Sequence, residues 1–173
     1  QRLARERQER ERQAEAIRLE QLEKDRVEKA RRKKMKRERK EKKAREAASL
    51  ARMQNTDQVR VPEDCSTLAA AVEKCQYYYL NTIVVGEGEH HIEGDYLEIS
   101  SANVVGDSEV PKEKIVIFGG ILFKKGSDSN CHLQHLTIRR ARVNGVLGRS
   151  SFTMEDVLVE QCGVSGVIAC GVS

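Results

Sequence analysis

Few side chains in this chain of 173 residues could carry acid–base chemistry. Glu155 and Asp156 are adjacent carboxylates, and hydrolysis of a glycosidic bond uses two carboxyl groups, one as the acid and one as the base or nucleophile. Neighbouring side chains of a β-strand point to opposite faces, so this pair is not expected to act together. The sequence therefore predicts no catalytic residue.

Histidines and cysteines are also poorly placed to bind a metal. His132 and His135 would face opposite sides of a strand, and the adjacent His90 and His91 would diverge in the same way. The five cysteines form no C-x-x-C pair. An odd number at irregular spacing favours reduced thiols in an intracellular protein, either cytoplasmic or nuclear. We predict neither a metal site nor a cofactor.

Charged side chains near the C-terminal end could instead bind a ligand. Arg139, Arg140 and Arg142 lie close together, and Glu160 follows Arg139 by 21 residues. These four residues are the candidate ligand-binding site.

A second charged segment is the sequence RRKKMKRERKEKK at 31–43, here called the basic run, with ten Lys or Arg in thirteen residues. Such a run is typical of a nuclear-import signal or of a patch that binds nucleic acid or another polyanion, but also of a solvated helix surface. No aromatic residue lies within it to stack on bases. The candidate polyanion-binding residues are Arg31, Arg32, Lys33, Lys34, Lys36, Arg37, Arg39 and Lys40.

The elements that position these residues divide the chain into two unlike parts. Residues 1–53 hold 21 basic and 11 acidic residues, whereas residues 54–173 hold 10 and 16, together with every Gly, Pro and Cys. The composition predicts a basic helical arm at 1–53, a linker at 54–62 and a second domain at 63–173.

The arm is rich in helix-forming residues and in acid–base pairs at i,i+4, such as Glu28–Arg32 and Glu38–Lys42. A single solvated helix is favoured. The alternative is a weak coiled coil with a short seam through Ile17, Leu22 and Val27, because the large apolar residues hold no heptad register over several heptads.

The second domain contains a repeat of 21 residues. At this offset Leu133 coincides with Met154, Leu136 with Val157, Ile138 with Val159 and Val146 with Val167. The period is too short for helical repeats or propeller blades, and the Asn or Cys that a leucine-rich repeat requires is missing. A parallel β-helix of about four coils from Thr82 fits better, with like residues stacked about 4.8 Å apart.

Earlier coils are expected to place Ile115 and Ile117, and before them Leu97 and Ile99, in the inward positions. Ahead of the coils, residues 66–76 predict an amphipathic helix with Ser66 as the N-cap, which would cover the open apolar end of the first coil. No such cover follows Ile168, so we expect the chain to be the N-terminal part of a longer β-helix.

The order of these signals resembles the right-handed parallel β-helix proteins of the pectin-lyase-like group, most closely β-helix proteins predicted in unicellular algae. The resemblance covers residues 60–173 and excludes the arm. It rests on LAAAV at 68–72, TIVVGEGEHHI at 82–92, LEI at 97–99, NVVGD at 103–107, HLQHLTIRRARVNGVL at 132–147 and FTMEDVLVEQCGVSGVI at 152–168.

That group includes lyases, hydrolases and non-catalytic binding modules, so the fold alone does not select an activity. The Asn-Thr-Asp motif of its hydrolases occurs only at residues 55–57, ahead of the coils, and the other hydrolase motifs are absent. We therefore expect a mainly β, non-catalytic module for a protein or glycan ligand, tethered by a basic helix. The alternatives are the N-terminal fragment of a carbohydrate-active lyase or hydrolase, and polyanion or nucleic-acid association through the basic run. No membrane contact is expected, and the sequence leaves the oligomeric state open.

Overall fold

The computed structural model of the protein describes residues 2–124 and 131–170, without the side chains of residues 2–17, 19, 20 and 25. Residues 1–48 form one unit and residues 49–173 another. The elements are α1 Arg2–Thr56, β1 Gln58–Val61, α2 Leu68–Tyr78, β2 Thr82–Val85, β3 Gly88–Ile99, β4 Asn103–Gly106, a 3-10 helix Lys112–Lys114, β5 Ile115–Phe123, β6 Cys131–Arg139, β7 Asn144–Gly148, β8 Phe152–Glu160 and β9 Ser165–Ala169.

Helix α1 confirms the predicted long N-terminal helix. Leu22, Val27 and Met35 are 58%, 59% and 61% exposed, so these side chains bury no seam, whereas the side chain of Ile17 lies outside the described residues. Glu28 pairs with Arg32 at 2.6 Å as expected, but Glu38 lies 3.9 Å from Lys34. The coiled coil stays a prediction. No helix in residues 2–124 and 131–170 is long and apolar enough to cross a membrane.

The last turns of α1 belong to the second unit, where they are fixed by Asp64. The Ser49 hydroxyl donates to the Asp64 carboxylate at 2.6 Å, the Arg60 N–H donates at 2.9 Å, and Arg52 forms an ion pair with it. Met53 is buried beside them. Burial by itself would raise the pKa of Asp64, but these hydrogen bonds together hold it below its usual value.

The segment expected to be a linker, 54–62, contains the end of α1 and all of β1. Val59 and Val61 alternate with polar residues and are fully buried, and β1 pairs in parallel with β2 along its length. This alternation is a strand pattern, which the change in composition by itself does not reveal.

Within residues 2–124 and 131–170, nine strands form a parallel sheet that folds into three stacks. The first stack contains β1, β2, β4 and the first halves of β6 and β8. The second contains the first halves of β3 and β5 with the second halves of β6 and β8. The third contains the second halves of β3 and β5 with β7 and β9. This arrangement is compatible with a β-helix-like fold.

The core consists of rows of aliphatic side chains that run through these stacks. The predicted pairs Leu133–Met154, Leu136–Val157, Ile138–Val159 and Val146–Val167 are all confirmed. The row through Ile138 continues to Ile117, and both of these side chains are fully buried. Stacking of like residues thus removes the apolar side chains from water, which is the main stabilising term.

Leu97 and Ile99 are buried in the inward positions expected of them, but they do not stack on Ile115 and Ile117. Leu97 pairs with Ile121 and Ile99 with Phe123, whereas His90 is the residue that pairs with Ile117. The reason is an insertion: four residues separate His91 from Tyr96 in β3, where only Gly119 separates the two halves of β5. A fixed period cannot follow such a change in corner length.

Helix α2 packs its apolar face onto β1, β2 and β3 within the second unit. The buried residues of this face are Leu68, Ala71, Val72 and Cys75. Its N-cap is Thr67, one residue later than expected, because the Thr67 hydroxyl accepts a hydrogen bond from the Ala70 N–H at 3.2 Å.

Candidate functional site

One row of exposed and half-buried side chains crosses four strands of the second stack. His91, Phe118, Arg139 and Glu160 occupy equivalent positions on β3, β5, β6 and β8, and this set is called the outer row. The His91 and Phe118 rings are stacked, 4.9 Å apart and 9° from parallel. The Arg139 Nε donates to Glu160 Oε1 at 2.5 Å. The predicted Arg139–Glu160 pair therefore lies at the end of a longer row.

Neither His91 nor Phe118 was among the residues predicted from the sequence. Phe118 precedes Arg139 by 21 residues, the same spacing that separates Arg139 from Glu160, so the repeat could have identified it. His91 precedes Phe118 by 27 residues, and the longer corner in β3 accounts for three of the six residues beyond the period of 21, so no fixed period would find it.

A second row follows at the adjoining corner. Arg140 and Gln161 both have left-handed backbones, with φ of 54° and 56°, and Gly119 has φ of 128° at the equivalent place. These residues turn the chain from the second stack into the third. The Arg140 Nε donates to Gln161 Oε1 at 3.3 Å, and its guanidinium lies 5.7 Å from the centre of the Phe118 ring.

Phe118 consequently contacts His91 on the preceding strand and Arg140 on the following strand. A cation over an aromatic ring adds about 0.5–1 kcal/mol at exposed sites, so this stack holds the Arg140 side chain in a defined position. Because the faces of the Phe118 ring are occupied within the protein, a ligand would meet the charged and polar groups around it.

Arg142 is far more exposed than Arg139. Its side chain is 79% exposed, and its Nη1 lies 4.0 Å from Asp95 Oδ1. An exposed pair at this distance contributes little to stability. The three arginines thus differ in role: Arg139 is held by Glu160, Arg140 is stacked on Phe118, and Arg142 extends into solvent.

The two adjacent carboxylates do not face opposite sides as expected. Asp156 has φ of 52°, which breaks the strand alternation, and both Glu155 and Asp156 are exposed. Asp156 accepts hydrogen bonds from Lys112, which lowers its pKa most, and from His135 Nδ1 at 2.7 Å. A carboxylate held ionised in this way is a poor general acid near neutral pH.

His132 and His135 likewise lie on the same, outer side of β6, because His135 has φ of 53°. Their ring nitrogens are engaged separately: His132 Nδ1 lies 2.7 Å from Thr153 Oγ1, and His135 Nε2 lies 2.9 Å from the Val110 carbonyl oxygen. Among the described residues, no group of three or more His, Cys, Asp or Glu could hold a metal ion.

The cysteines are free thiols. Burial raises the pKa of Cys65 and Cys131, and raises that of Cys75 to about 12. These three thiols therefore stay protonated at neutral pH, which makes them poor nucleophiles and metal ligands.

A half-open cavity of about 270 Å³ lies over β1 and β2. Its charged lining residues are already matched with cations or carboxylates, so it offers no unbalanced charge to a ligand. The ion pairs at this cavity are Arg60–Asp107 at 3.3 Å, Arg52–Glu63 at 3.3 Å and Lys114–Glu87 at 3.1 Å.

All eight candidate polyanion-binding residues lie on α1, and all are exposed. Two of them, Arg32 and Lys34, are within reach of glutamates one turn away, at 2.6 and 3.9 Å.

No family model matches the chain. Searches of curated proteins and of solved structures found no match either. The resemblance to pectin-lyase-like proteins therefore stays a prediction from the sequence motifs, and the stacked parallel strands are compatible with a β-helix-like fold.

Proposed function

We propose that this protein is a non-catalytic binding module that recognises a protein or glycan ligand on the outer row and the corner beside it, with α1 as a basic tether. One observation carries the proposal: Arg140 and Arg142 are exposed beside a row of polar and aromatic side chains that crosses four successive strands. A regular, rigid surface of this kind binds without large rearrangement.

We infer that the scaffold is a right-handed parallel β-helix of the pectin-lyase-like kind, with about four coils and α2 as its N-terminal cap. The three parallel stacks, the aliphatic rows and the packing of Leu68 and Ala71 support this inference. Right-handed winding stays a prediction from the resemblance.

The state of three carboxylates on β8 favours binding over catalysis. Asp156 is held ionised by Lys112 and His135, Glu160 is paired with Arg139, and Glu155 accepts a hydrogen bond from Gln134 at 3.2 Å. A glycosidase needs one carboxyl group that is protonated near neutral pH and a second one close by. The N-terminal part of a lyase or hydrolase is the alternative proposal.

The experiment screens the full chain against a glycan array and a peptide array, then measures affinities of the hits for an Arg140→Ala/Arg142→Ala double variant. We expect the double variant to bind at least about tenfold more weakly, because charged hydrogen bonds to a ligand contribute about 1.5–3 kcal/mol each.

Arg149→Ala is the matched control, since Arg149 is exposed and loses the same charge away from this corner. It should bind each hit as the wild type does. Hits that bind the double variant as tightly as the wild type, or a screen without any hit, would refute the proposal.

A second candidate function is association with a polyanion through the basic run. The exposure of all eight candidate residues supports it, because phosphate binding needs accessible cations. An intracellular location, cytoplasmic or nuclear, likewise stays a prediction.

A further inference from the structure

The C-terminal turn of α2 carries an exposed pair of aromatic side chains. Tyr77 is 75% exposed and Tyr79 is 89% exposed. Tyr77 is also held by Tyr78, because their rings meet edge to face with centres 4.8 Å apart. Tyrosine gives a large contact area with few rotatable bonds, and for this reason it is enriched at protein interfaces.

Tyr79 has a left-handed backbone conformation, which favours glycine. Its φ and ψ are 56° and 40°, and the next residue, Leu80, donates its N–H to the Cys75 carbonyl oxygen at 2.9 Å. This is the usual helix ending in which the left-handed position is taken by Gly or Asn. A bulky side chain there costs free energy in the folded state, and strain of this kind is found preferentially at functional sites.

The charges around this turn select the partner. Glu73 lies one turn before Tyr77 and is exposed, whereas the neighbouring Lys74 donates to the Asp64 carbonyl oxygen at 2.8 Å. Residues 49–173 as a whole hold 11 basic and 16 acidic residues. A phosphate backbone would be repelled here, but a guanidinium group can stack on a tyrosine ring and bind a carboxylate.

We propose that this turn is a docking surface for an arginine-bearing peptide segment of a partner protein. Tyr77 and Tyr79 provide aromatic faces for the guanidinium groups, and Glu73 provides the opposite charge. The surface is distinct from the outer row and does not depend on the function proposed for it.

The test measures fluorescence anisotropy of a labelled decapeptide of alternating glycine and arginine against the full chain. Tyr77→Ser and Tyr79→Gly should each weaken binding about two- to fivefold, the size of an exposed cation–π contact. Tyr79→Gly should at the same time keep or raise the melting temperature, because glycine relieves the left-handed strain. A loss of binding by this variant is therefore not a loss of folding.

Two controls separate recognition from general attraction to an acidic protein. Glu73→Gln should weaken binding, whereas Glu93→Gln, an equal change at another exposed glutamate, should not. The same peptide with citrulline in place of arginine should bind more weakly to the wild type. The proposal is overturned if both tyrosine variants bind like the wild type, if citrulline makes no difference, or if Glu93→Gln weakens binding as much as Glu73→Gln.

Discussion

His135 connects β6 to the segment that precedes β5. Its Nε2 lies 2.9 Å from the Val110 carbonyl oxygen and its Nδ1 lies 2.7 Å from Asp156 Oδ2, while Thr137 donates to the Lys112 carbonyl oxygen at 2.9 Å. Both partners of His135 are hydrogen-bond acceptors, so the ring can donate to both of them only when both of its nitrogens carry protons. The hydrogen bond to Asp156 is the largest cause of a raised pKa for His135, followed by the bond to Val110.

The raised pKa of His135 makes part of the stability dependent on pH. The contribution is fully present below about pH 6.5, the value in the unfolded chain, and is lost as the pH rises through the folded value. Asp156 has a lowered pKa, so its contribution is present above about pH 3.9 and is lost as the pH falls through the folded value. We expect His135→Gln to lower the melting temperature most between about pH 4 and 6.5.

Thermal unfolding of the wild type and of His135→Gln from pH 4 to 9 checks this expected pH dependence. His91→Gln is the control, because His91 is exposed and lies outside this cluster. An equal effect of His135→Gln at pH 5 and pH 9 would contradict the expected protonation.

At the scale of elements, the contribution of a side chain to the stability of the protein depends on how deeply its strand is buried within the stack. Ile117 and Ile138 are fully buried on β5 and β6, whereas Val159, at the same place on β8, is only partly buried. Shortening the side chain at the same position of the repeat should therefore lower the free energy of unfolding by different amounts on successive strands.

Ile138→Ala should lower the free energy of unfolding by about 2–4 kcal/mol, because it removes apolar contacts and leaves a cavity. Val159→Ala should cost less, since the side chain is smaller and partly solvated. Urea unfolding, followed by the near-ultraviolet circular dichroism of the tyrosines, measures both. An equal loss for the two variants would contradict the ranking.

At the scale of the whole molecule, charge is divided between the two units. Residues 1–48 hold 20 basic and 11 acidic residues, while the second unit is acidic. Binding of a polyanion should therefore be confined to α1 and should release counterions in proportion to the phosphates contacted.

Replacing Lys33, Lys34, Lys36 and Lys40 by Gln should reduce the slope of log affinity against log salt by roughly 3–4 for a short DNA duplex, since each contact contributes about 0.9. Filter binding from low to moderate salt measures the slope. The Arg140→Ala/Arg142→Ala double variant should leave it unchanged. A slope that is insensitive to the four lysines would rule out the basic run as the binding site.

Local patterns in the sequence determined the long helix, the amphipathic α2 and the stacking of β6 on β8. Helix propensity acts between near neighbours, and the repeat of 21 residues places Ile138 over Val159 wherever the corners have equal length. The candidate pair Arg139–Glu160 followed from the same repeat.

Only the tertiary structure decided the rest. The pairing of His90 with Ile117 depends on the length of one corner, and the anchoring of α1 depends on Asp64, which meets residues from other elements. His135 and Asp156 adopt left-handed backbones, which place their side chains on the outer surface; His and Asp enter this conformation more readily than most residues, but the strand pattern around them gave no sign of it. The hydrogen bonds of these side chains join residues far apart in the chain, and no local pattern records them.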